Sequence, residues 1–158
     1  MFRVLIFIIA LSLSSCANKA GSRAGLFTAT APVHAFLLND LFYGEAVGYL
    51  NRTGVITVNS VYNPDKKCVG EFRYTGFRSG EGSLTCNSGE TAVIQFKALS
   101  SLSGYGYGKS DAGPVSFTYG LTAKDAAKYL ELPKGKTITQ KKDEKPKLIE
   151  KKSEQIDL

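Results

Sequence analysis

The chain contains no tryptophan, one methionine and one histidine, and only three cysteines in 158 residues. One His and three Cys leave almost no material for a metal cage or a His-based catalytic centre. The longest almost unbroken apolar stretch, Val4 to Leu13 with Ser12 inside it, spans ten residues, too short to cross a bilayer as a helix, which takes roughly 20. No metal site and no cofactor are therefore expected. What the chain does have is sixteen Gly, eight Tyr and nine Phe. That balance favours strands and turns over a helix bundle.

The short apolar run follows Met1-Phe2-Arg3 and has the length of a secretory h-region. It ends in Leu13-Ser14-Ser15-Cys16, which resembles the bacterial lipobox. The resemblance implies cleavage before Cys16 and acylation of its thiol. Two or more acyl chains hold a protein on a membrane where one gives marginal binding. Ala17, and no Asp, follows the cysteine, which by analogy implies the outer membrane. Residues 1–15 are thus expected to be a signal peptide, and 16–25 a lipidated cysteine with its tether. Loss of 1–15 removes only Arg3 from the charge count, leaving 19 basic against 14 acidic residues.

Residues 26–133 hold nearly all the aromatic and β-branched side chains, so the folded domain is placed there. Residues 134–158 have no aromatic residue, and eight Lys stand against five acids. Such a composition buries too little apolar surface to offset its ordering entropy. It is read as a basic disordered tail, available as a docking arm towards an envelope protein or peptidoglycan.

Within the domain, Ser79-Gly80-Glu81-Gly82 recurs as Ser103-Gly104-Tyr105-Gly106, about 24 residues on, the span of one β-hairpin. In an oxidising envelope Cys68 and Cys86 are expected to form a disulfide. Placing them opposite each other on antiparallel neighbours pairs Gly70 with Leu84, Phe72 with Gly82 and Tyr74 with Gly80 on one face. The other face pairs Val69 with Thr85, Glu71 with Ser83 and Arg73 with Glu81. One face is apolar and the other polar; a one-residue slip would mix them. Ala92, Ile94 and Phe96 join the apolar face if Asn87-Ser88-Gly89 is a three-residue loop with Gly89 left-handed. Treating Asp111-Ala112-Gly113 the same way pairs Tyr107 with Phe117 and Tyr105 with Tyr119. These four rings then form a cross-strand ladder, a candidate surface for partners or glycans; the competing reading is core beneath a terminal helix.

Phe36 to Leu38, Leu41 to Leu50 and Val55 to Tyr62 read as further strands, with 51–54 as a turn. Thr122-Ala123-Lys124-Asp125 has capping-box spacing. A short helix follows with Ala126, Tyr129 and Leu130 on one side, and Pro133 ends it. The expected fold is all-β: an antiparallel meander of about seven or eight strands, closed into a small barrel because closure removes edges, with one short helix.

Other chemistry is argued down. Ser103 to Ser110 imitates a phosphate loop, but a P-loop needs Gly at the position of Ser103 and must open a helix. No nucleotide is expected, and no nucleic acid in this compartment. Glu71, Glu81, Glu90 and Asp111 read as solvated charges, and His34 as structural or surface. Gly44 to Tyr49, Cys68 to Phe72, Leu84 to Cys86 and Val115 to Gly120 are similar to segments of uncharacterised small proteobacterial envelope lipoproteins, a resemblance that implies fold and location only. The expectation is a non-enzymatic, lipid-anchored binding or adaptor module. The alternatives are a barrel carrying a small hydrophobic ligand and, behind it, a cell-wall hydrolase.

Overall fold

The computed structural model describes residues 23–151. Cys16 and the expected signal peptide lie outside the described residues. Eight strands form a closed antiparallel barrel: β2 (Thr28–Leu37), β3 (Asp40–Tyr49), β4 (Thr53–Ser60), β5 (Lys67–Tyr74), β6 (Ser79–Cys86), β7 (Thr91–Ala98), β8 (Gly104–Ser110) and β9 (Gly113–Tyr119). Each pairs with the next, and β2 closes the circle by pairing with β9. A two-residue strand, β1 (Arg23–Ala24), adds to the start of β2.

Alternation sorts the side chains. In β7, Ala92, Ile94, Phe96 and Ala98 turn inward and are buried, while Thr91, Val93, Gln95 and Lys97 face water. Inward aromatic rings lie across inward glycines of the neighbouring strand: Phe72 over Gly54, Phe96 over Gly80, Phe117 over Gly106. A side chain at any of these glycines would occupy the ring's volume. The glycines that thin the sequence are thus the sockets of the core.

The register expected for β5, β6 and β7 is the one observed. Cys68 lies directly opposite Cys86 and is joined to it, Phe72 opposes Gly82, and Leu84 opposes Ala92. Gly89 closes the turn at φ 97°. The register expected for β8 and β9 is corrected by one residue. Ser110 pairs with Gly113, so the loop is Asp111-Ala112 alone. Tyr105 therefore opposes Thr118 and Tyr107 opposes Ser116 on the outer face, and Phe117 and Tyr119 point inward opposite Gly106 and Gly104. Core volume decides the register: the rings fill the space that the glycines leave.

The expected disordered tail is also corrected for the residues described. Thr122 caps α1 (Ala123–Ala126), its hydroxyl accepting from the Asp125 amide. The helix is a single turn that loosens through Leu130, short of Pro133. The chain then forms a hairpin of β10 (Lys136–Thr139) and β11 (Lys147–Glu150). It lies on the outside of the barrel, where Ile138 joins Leu41, Ala123, Ala126 and Leu130 in a second core. The Leu148 amide donates to the Tyr62 hydroxyl at 2.9 Å, and the Glu131 amide to Ser116 Oγ at 2.8 Å. Lysines dominate the composition of this segment, yet inward Ile138 and Leu148, paired across the hairpin, alternate with outward Thr139, Lys147 and Ile149. Averaged composition hides that alternation.

Candidate functional site: the open end of the barrel

The two ends of the barrel differ. At one, the disulfide lies inside the wall beside Leu37, Phe42 and Val58 and closes the interior. At the other, the inward positions carry small residues, Ala31, Ala46 and Gly48, and the interior opens as a recess of about 230 Å³. Its floor is aromatic. Phe72, Tyr74 and Phe96 meet edge to face, with centroids 4.9–6.3 Å apart, and Tyr119 meets Phe96 at 6.1 Å. A smaller apolar hollow of about 40 Å³ lies below, shared by Val33, Ile56 and Phe117.

The polar groups here are few. The hydroxyls of Tyr74 and Tyr119 are 3.5 Å apart. Burial, reinforced by the hydrogen bond with Tyr74, holds the Tyr119 phenol far above its ordinary pKa, so it stays neutral. The Arg52 guanidinium lies 5.3 Å from the centre of the Tyr74 ring and donates to the Gly76 carbonyl. Arg78 donates through Nε to the Ala98 carbonyl at 3.0 Å and also reaches Leu99. The two arginines thus tie adjacent loops together and hold the rim in shape. An apolar, largely neutral recess favours a ring or the end of a chain. It is smaller than the roughly 300–1,000 Å³ of drug-sized sites, so a whole lipid does not fit.

The residues singled out from sequence separate into three places. Phe117 and Tyr119 belong to the interior, Tyr119 to the floor of the recess. Tyr105 is outside, stacked on Tyr129 at 4.5 Å and edge-on to Tyr107 at 5.9 Å. The four-ring ladder is not formed. Cys68 and Cys86 sit at the closed end. Glu71 and Glu81 line one open groove of about 590 Å³ on the outer wall across β4 to β7, where Arg73 Nε donates to Glu81 at 2.9 Å; Glu90 lies apart at the β6–β7 turn and pairs with Ser88, which lowers its pKa. Among the described residues no three His, Cys, Asp or Glu come together in a metal-holding group.

His34 is buried on the outer face under the C-terminal hairpin. Its Nε2 donates to Gln140 Oε1 at 3.1 Å, and its ring tilts against Tyr43 at 5.1 Å. Burial lowers its pKa, only partly opposed by Gln140. Arg52, Arg78 and the apolar rim were missed in the sequence. Their signal was there: Leu50 and Phe77 occupy turn positions where polar residues are the rule.

No family model, no curated protein and no solved structure matches this chain. Fold and site together define a closed up-and-down β-barrel with one filled end and one open, aromatic-floored end.

Proposed function

We propose that the protein is a lipid-anchored protein of the cell envelope, held at the outer membrane through Cys16, whose barrel is a non-enzymatic binding module. Its site is the open end, and what it takes is a small apolar group: an aromatic ring or the terminus of an acyl chain. The observation that carries this reading is the recess floored by Phe72, Tyr74 and Tyr119, with Phe96 packed against those rings beneath it. The small inward residues at Ala31, Ala46 and Gly48 support it. The opposite end is filled by Leu37, Phe42, Val58 and the disulfide, so the larger space belongs to the end where the inward side chains are small. Residues 134–151 serve the reading as a brace on the barrel wall, and the docking-arm role falls to the barrel itself.

The test is the mass of the protein extracted from membranes under native conditions, followed by denaturation. A discrete non-covalent adduct that is released on unfolding supports the reading, and its mass identifies the ligand. A bare protein that also fails to take up N-phenyl-1-naphthylamine or octanoate overturns it.

A further inference from the structure

Among the described residues, most of the largest exposed apolar side chains lie at the open end, while Val93 (68%) is on the outer wall and Tyr62 (58%) is at the opposite end. Phe77 is 92% exposed, Leu26 84%, Leu50 74% and Phe27 64%. Phe77 tips the β5–β6 turn, Leu50 opens the β3–β4 turn, and Leu26 and Phe27 precede β2. Leu99 joins them from the β7–β8 connection, itself partly exposed. The connections at this end, 25–27, 50–52, 75–78, 99–103 and 120–122, contain Arg52 and Arg78 and no acidic residue. The opposite end reverses this: 38–39, 61–66, 87–90 and 111–112 carry Asp65, Glu90 and Asp111 against Lys66. The connections at one end of the barrel are apolar with two arginines, whereas those at the other carry three acids against one lysine and have the lysine-rich hairpin docked beside them at Tyr62.

We propose that the open end lies on the membrane, with the tips at Leu26, Phe27, Leu50 and Phe77 inserted among the headgroups of an anionic bilayer and Arg52 and Arg78 facing its phosphates. Four large apolar side chains this exposed at one end call for an occupant. Apolar tips ringed by cations match the layered chemistry of a bilayer surface, where acyl boundary gives way to negative charge. The chain itself points the same way. It enters the described structure at Arg23, whose strand pairs with Ala29 and Thr30 beside the open end. Seven residue steps separate Cys16 from Arg23, at most about 25 Å even when fully extended. An acylated Cys16 therefore keeps this end, and not the opposite one, near the lipid. The arginines' grip on neighbouring carbonyls presents the tips as one rigid rim. In this orientation the recess faces the lipid, so a membrane component reaches it without crossing water. The inference rests on the anchored reading for its tether only; the rim's chemistry is independent of it.

The absence of tryptophan makes the test direct. Phe77→Trp and Leu50→Trp place single reporters on the rim, and Ala112→Trp places one on the opposite turn. Each mature protein, purified from membranes, is reconstituted into phosphatidylcholine–phosphatidylglycerol vesicles with or without brominated acyl chains. The rim reporters are expected to shift to shorter wavelength and to be quenched several-fold more than the Ala112→Trp reporter. Equal quenching at all three, or none, overturns the orientation. A blue shift that needs no vesicles and grows with protein concentration also overturns it, because a second copy then covers the rim. Intact mass of the same samples reads the anchor separately. Acylated Cys16 with unquenched rim reporters sinks the orientation and keeps the anchor, whereas an unacylated chain with quenched reporters does the reverse.

Discussion

Ile138 is the residue at which the observed C-terminus departs furthest from a free tail. It is 3% exposed and packs with Leu41, Ala126 and Leu130. Truncating a buried Ile to Ala removes its transfer energy and leaves a cavity, together about 2–5 kcal/mol. The second core is small and lies at the protein surface, where collapse is easier, so the expected loss is in the lower part of that range, about 2–4 kcal/mol. For a domain of this size each kcal/mol moves the midpoint by about 3–4 °C, which puts the fall near 6–16 °C. Thermal unfolding followed by near-ultraviolet circular dichroism of the tyrosines measures it. Lys141→Ala, on the exposed connection between the hairpin strands, is the control and should move the midpoint by less than about 2 °C. An Ile138→Ala protein that melts together with the control refutes the docked hairpin and restores the free tail.

Three further outcomes follow from the geometry. Gly80→Ala would put a methyl into the Phe96 ring and the Arg73 carbonyl oxygen, so it should cost about 1–3 kcal/mol by overpacking in a urea titration; an unchanged midpoint would remove the socket argument. Reducing the Cys68–Cys86 bridge, which spans a sequence separation of 18, should lower stability by roughly 3 kcal/mol, and equal urea midpoints with and without reductant would contradict this. His34 has a pKa lowered by burial, so the folded state disfavours a proton that the unfolded chain accepts near its ordinary 6.5. Its contribution is complete above that value and is lost as pH falls below it towards the folded-state pKa. Urea midpoints should therefore drop from pH 7.5 to pH 5 in the parent and drop less in His34→Gln; parallel pH profiles would exclude His34 as the source.

The parts of the fold legible in the sequence are those where two local signals agree. Between Cys68 and Phe96 the polar and apolar faces separate in only one register, and the Asn87-Ser88-Gly89 turn demands the same one, so pairing follows. In β8 and β9 the signals disagree. Glycines at 104, 106 and 108 have no side chain to declare a face, and rings on both parities, Tyr105 and Tyr107 against Phe117 and Tyr119, let either face look apolar. Asp111-Ala112-Gly113 then imitates the preceding turn. Only closure against β2, which sets Ala35 opposite Phe117, distinguishes the two registers, and that contact is far away in sequence. The same holds for His34, which is on the outer face and is buried by a hairpin more than one hundred residues later. The open end is illegible for a related reason: a recess exists only once eight strands have closed, and Leu50 reads as the end of a strand until the turn that it opens is seen.

The claim that the open end is a binding site stands or falls on one pair of titrations. Gly48 faces the recess, and a Cβ added there meets nothing nearer than 3.7 Å, the Phe72 ring, so Gly48→Leu carries its side chain into the recess. N-phenyl-1-naphthylamine fluorescence should rise saturably with the parent protein, be displaced by octanoate, and be lost in Gly48→Leu at an unchanged melting temperature. A Gly48→Leu protein that binds the probe as the parent does would contradict the account.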